Sequence, residues 1–112
     1  MTFQDLLKTY LDTARQAVDR LDRDIDPRVR LHRIGWALAE IRAKTVATPA
    51  IALALAEVDQ ALEIVRVRLN SVALIIHGLA SEKAVLLDRI DTLETALTGV
   101  EPDPVTLFLL GC

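Results

Sequence analysis

Phe3, Leu7, Tyr10, Ala14, Ala17 and Leu21 follow one another in alternating steps of four and three, and Leu6, Leu11 and Val18 widen the stripe. That spacing keeps one face of a 3.6-residue helix apolar and predicts a helix from about residue 3 to 24. Thr2 and Asp5 form a capping box at its start. Lys8, Asp12, Arg15, Asp19 and Arg23 occupy the opposite, solvated side. Asp26-Pro27 starts a second helix, with a capping side chain followed by a ring already set for the first turn. It runs to about residue 47, with Leu31, Ile34, Leu38, Ile41 and Thr45 facing inward. At about 100° per residue, Val29, His32, Trp36, Ala39, Ala43 and Ala47 fall on the other side, so this helix has two apolar faces.

Thr48-Pro49 repeats the start signal and opens the most regular pattern in the chain. Ile51, Leu55, Val58, Leu62, Val65, Leu69, Val72, Ile76 and Leu79 fill successive a and d positions of a heptad, and Lys83, Leu86, Ile90, Leu93, Leu97 and Val100 continue in phase. Fourteen of these fifteen positions are apolar, where composition alone would give about eight, so the pattern is a packing seam. Leu53, Ile64, Val67 and Leu74 lie off that seam and leave the helix greasy on its back. Within Gly78 to Ser81, Gly78 can end one helix and Ser81 can cap another. The unbroken heptad phase equally fits one continuous helix. Gly99, Pro102 and Pro104 then stop the helix, and an apolar tail follows.

The composition agrees with helices: 52% apolar, 4% aromatic and four glycines. Mean hydropathy is high, at +0.32. However, the longest uncharged runs, 45–56 and 69–81, fall short of the roughly 20 apolar residues of a membrane span. The N-terminal segment also lacks a signal-peptide pattern. A soluble, cytoplasmic chain is therefore expected, with its excess of apolar side chains covered by association, most simply as a homo-oligomer. A net charge of −3 exerts no overall pull toward nucleic acid or anionic lipid.

Little catalytic chemistry is written into the residues. His32 and His77 have no Glu-x-x-His or clustered cysteine partners, Cys112 is the only thiol, and no phosphate-binding loop or nucleophile elbow occurs. No metal, no cofactor and no enzymatic activity are expected. His32 and Ile34 resemble the His-x-Leu/Ile-Lys-Gly pattern of histidine-phosphotransfer domains, a resemblance that implies a helical bundle carrying phosphate on His32. Gly35 replaces the lysine that helps hold the phosphoryl group, and Trp36 replaces the glycine that leaves room for a receiver domain. Arg28, Arg30, Arg33, Arg42 and Lys44 raise nucleic-acid binding as another reading, but they form no continuous stripe and Glu40 lies among them.

Together these patterns predict an all-α chain: an antiparallel helical bundle, or coiled-coil hairpin, of three long or four helices. Residues 1–100 form a single domain with helices at about 3–24, 27–47, 49–78 and 82–98, the last two separate or fused, and 101–112 form a tethered tail that either folds back onto the bundle or inserts into a groove on another molecule. The function expected is that of a non-catalytic, self-associating scaffold or adaptor. Its partner-facing residues are His32, Trp36, Ala39 and Ala43 on the second helix, Leu53, Val67 and Leu74 on the third, and Leu107, Phe108, Leu109 and Leu110 in a tail that engages another protein. Oligomerising helices followed by a short apolar tail are similar in organisation to small terminase and other phage-assembly subunits, although no helix-turn-helix precedes them here.

Overall fold

The helix starts follow local chemistry. In the computed structural model, which describes residues 2–22, 27–69 and 78–109 apart from the side chain of Leu107, the Thr2 hydroxyl accepts from the Asp5 N–H at 3.1 Å. The Asp5 carboxylate accepts from the Thr2 N–H at 3.2 Å. This reciprocal cap opens α1, Phe3–Asp19. Helix α2, Pro27–Lys44, and helix α3, Pro49–Leu69, both begin on proline, and the Thr48 hydroxyl accepts from the Ile51 N–H at 3.2 Å.

Helix α4 spans Ala80–Leu97. Gly78 has φ +66°, a left-handed conformation that no residue inside a right-handed helix adopts, so the continuous-helix option fails at this residue. Both the helix and its cap come two residues earlier than the expected start at 82 and Ser81 cap. Leu79 takes the cap position without a side-chain hydrogen bond and is buried in the core. Burying a leucine is worth about 1.5–3 kcal/mol, more than the roughly 1 kcal/mol of a polar cap, so packing overrides the serine signal. Gly99, at φ +75°, turns the chain out of α4. A last helix, α5, spans Pro104–Leu109, and the Asp103 carboxylate accepts from the Thr106 N–H at 2.9 Å.

The first four helices form an up-down-up-down bundle. Leu6 of α1 shares a cleft with Ala43 of α2 while Tyr10 lies against Trp36, and Arg42 of α2 meets Asp59 of α3 while Leu31 and Leu69 line one groove. Arg68 at the end of α3 bonds Glu82 at the start of α4 at 2.8 Å, and Gln4, Arg15 and Asp22 along α1 and beyond it meet Leu97, Asp91 and Lys83 of α4 in turn. Each neighbouring pair therefore runs antiparallel. The α1–α2 and α3–α4 hairpins are the most extensive contacts, α1 and α4 join them, and the α2–α3 contact is thin. The molecule is elongated and flattened, with extents of 51 × 26 × 16 Å.

The core takes up the heptad seam. Ile51, Leu55, Val58, Leu62 and Val65 of α3 are buried, as are Leu79, Leu86, Ile90, Leu93 and Leu97. Lys83, the polar member of the seam, sends its ammonium out of the core to the Asp19 carbonyl at 2.8 Å and the Asp22 carboxylate at 2.9 Å. Leu7, Leu11, Val18, Ile34, Leu38 and Ile41 supply the other half. Val72, Leu74, Ile76, His77, Leu110 and Cys112 lie outside the described residues.

Candidate protein-interaction site

Because α2 is apolar on two sides, burying Leu31, Ile34, Leu38 and Ile41 leaves the second side uncovered. Val29, His32, Trp36, Ala39 and Ala43 form a continuous exposed stripe. Trp36 is 47% exposed. One edge of its ring is fixed by Tyr10, with centroids 5.6 Å apart and planes at 76°, an edge-to-face contact. Tyr10 is held in turn: its hydroxyl donates to Glu40 at 3.4 Å, and the Lys44 ammonium sits 5.6 Å from its ring centroid. Lys44 also pairs with Glu40. That bond is the main reason the Glu40 carboxyl lies below its ordinary pKa and the Lys44 ammonium above its own. The network braces Trp36 through one ring contact and leaves about half of the side chain exposed, as suits an anchor for a partner.

Two depressions flank this ridge. A groove of about 620 Å³ runs between α2 and α3, lined by Arg28, Leu31, His32, Gly35, Trp36 and Ala39 on one wall and Arg66 and Leu69 on the other. Gly35 contributes no side chain, so the groove keeps its width beside Trp36. A shallower hollow of about 310 Å³ lies on the far side, between Val29, His32, Arg33 and Trp36.

On α3, Leu53 and Val67 are exposed, with Leu53 at 63%, and Ile64 lies in the same outer row. The tail does not hang free. The Val46 N–H donates to the Glu101 carbonyl at 3.2 Å and the Asp103 N–H to the Lys44 carbonyl at 2.9 Å, which seats α5 on the end of the bundle. Thr106 is buried there, while Val105, Phe108 and Leu109 face outward, Phe108 at 80% exposure. Ala43 and Leu6 share a cleft of about 390 Å³ with Val105 and Leu109, so the tail helix adjoins one end of the α2 stripe.

The structure thus groups His32, Trp36, Ala39 and Ala43 on one helix face, puts Leu53 and Val67 on the outer face of the adjacent helix, and sets Phe108 and Leu109 at the bundle end. Leu74 and Leu110, and the side chain of Leu107, are outside the described residues. Helix α5 is the element that hydrophobic periodicity missed. Its signal is Asp103-Pro104, the same pair that precedes α2 in the sequence, where Asp26 lies outside the described residues, followed by too few residues to show a period. Val29 and Ile64, on the outer sides that the periodicity marked, are exposed as well, and Val105 joins them only once the tail helix has docked.

Among the described residues, no group of three or more His, Cys, Asp or Glu side chains is placed to hold a metal ion. No helix among them is long and apolar enough to cross a membrane. Compared with known proteins, the chain matches no protein-family model, no curated protein and no solved structure.

Proposed function

We propose that this protein is a non-catalytic, self-associating helical scaffold or adaptor that works through protein–protein contacts. The observation that carries the reading is the exposed apolar stripe of α2 beside the exposed apolar row of α3, with Trp36, braced by Tyr10, at the middle of the α2 stripe. Leaving such side chains in water forgoes stabilisation of about 25 cal/mol per Å², which association recovers. Helix α5 is a second docking element, presenting Phe108 and Leu109 to a different protein partner. A phage-assembly role is one setting in which a bundle that self-associates and displays an apolar terminal helix would serve. The phosphotransfer and nucleic-acid readings gain nothing specific: position 35 carries no side chain to help His32 hold a phosphoryl group, and Arg42 and Lys44 are engaged with Asp59 and Glu40.

Light scattering during size exclusion tests the proposal on the reduced full-length protein and on Trp36→Glu, Leu53→Glu and Phe108→Asp. Oligomers that dissociate with Trp36→Glu or Leu53→Glu and persist with Phe108→Asp support association through the α2–α3 face. A monomeric full-length protein removes the reading.

A further inference from the structure

The groove between α2 and α3 has an ordered lining. Arg42 of α2 meets Asp59 of α3 at 3.0 Å. Gly35 lies seven residues before Arg42, and Arg66 lies seven residues after Asp59. In an antiparallel pair those equal and opposite steps bring Gly35 and Arg66 to a common height. Trp36 stands beside them, and the buried Leu31 and half-buried Leu69 form the floor about one turn further on. Arg28 is the lining residue nearest the start of α2, seven residues and so about 10 Å from the level of Arg66.

The dimensions limit what can enter. From Arg28 to Ala39 the groove runs about 16 Å along α2. Its volume of about 620 Å³ spread over that length leaves roughly 40 Å² in section, half the section of a helix about 10 Å across. A row of side chains fits, and a whole helix does not.

The charge is one-sided. Arg28, Arg66 and His32 line the groove, and no described Asp or Glu does. Both arginines also have interactions within the chain. That of Arg66 with Glu63 joins side chains each 60% exposed, so it contributes little. A guanidinium carries five donors and serves more than one acceptor.

We propose that this groove receives one face of an acidic amphipathic helix from a partner protein. This rests on the adaptor reading above and names the partner's chemistry. Helical residues seven apart stand two turns, or about 10 Å, from each other, so two carboxylates at that spacing meet Arg28 and Arg66 together. An apolar side chain between them drops onto Leu31 and Leu69, and a second lies against Trp36 and Ala39, in the manner of a helix laid in a groove. A compact anion reaches only one of the two cationic levels. A single-stranded nucleic acid stacks its bases on aromatic rings, and Trp36 is the one aromatic residue among those lining the groove.

Trp36 is the only tryptophan, so its fluorescence reports occupancy directly. The probe is an amidated, alanine-based helical peptide with Glu, Leu, Glu and Leu at successive intervals of four, three and four residues, added to the full-length reduced protein. The signal should change saturably, and a peptide with Lys in place of both Glu residues should not bind. Arg28→Ala and Arg66→Ala should each weaken binding about five-fold, the worth of an exposed charge pair. Gly35→Leu should abolish binding while circular dichroism shows an unchanged fold, since nothing lies within 4 Å of the added Cβ. Equal binding of acidic and basic peptides, binding that survives Gly35→Leu, or no binding at millimolar peptide overturns the proposal. Tighter binding of a thymidine decanucleotide than of the acidic peptide overturns it in favour of nucleic acid. Light scattering on the same protein without peptide reads self-association separately, so failure here and failure of the self-association reading are told apart.

Discussion

Three glycines show how one residue type plays opposite parts. Gly99 and Gly78 hold positive φ, where an alanine would be strained, so Gly99→Ala should cost about 1 kcal/mol and lower the urea midpoint. Gly35 sits inside α2, with nothing within 4 Å of where a Cβ would project. Gly35→Ala should stabilise by about 0.5–1 kcal/mol in the same titration, through helix propensity and a less free unfolded chain. Asp5 carries a pH dependence. Hydrogen bonds from the Thr2 N–H and hydroxyl hold its carboxyl below its ordinary pKa of 3.8. A depressed carboxyl contributes stability that is fully present above the ordinary value and lost as pH falls through the lowered one. Melting temperatures of Asp5→Asn should therefore fall less steeply than those of the native sequence as pH drops below 3.8.

Among the elements, the α3–α4 hairpin depends most on its seam. Leu62 is 6% exposed, so Leu62→Asp exchanges buried methyl groups for a carboxylate with no partner, a loss well beyond about 3 kcal/mol. The variant should be unfolded by circular dichroism, and a native-like, cooperatively melting Leu62→Asp would contradict the seam. At Ile90, wholly buried on the facing helix, truncation to alanine should cost about 2–5 kcal/mol, read from denaturant curves. The surface pairs are another matter. Arg66 with Glu63 and Arg89 with Asp88 lie in water, and each contributes under about 1 kcal/mol.

For the whole molecule, the flattened shape follows from the uneven contacts. Two tight hairpins join through α1 and α4, and the opposite edge, between α2 and α3, is left thin and open. Fold and proposed association therefore separate cleanly. Trp36→Glu together with Leu53→Glu should leave the helical signal unchanged, because both side chains lie outside the core, and should reduce the mass seen by light scattering. Substitution of core leucines should abolish both signals.

Much of this architecture was legible in the residues one at a time. Helix starts depend on chemistry within four residues, so Thr2 with Asp5 and Thr48 with Pro49 could be read directly. The inward stripes of α1, α2 and α3 follow from the 3.6-residue period that packing requires. The break at Gly78 was legible only as one of two options, because heptad phase is a property of spacing and is indifferent to a reversal of direction. Nor could periodicity find a six-residue α5. Those outcomes depend on contacts between segments distant in the chain, where Leu79 finds a core and the Lys44 carbonyl meets the Asp103 N–H. The sequence by itself determined where helices can form and which stripes must be covered, because those preferences act locally. Only tertiary packing decided which grease remains outside, because that depends on how much of each helix its neighbours can reach.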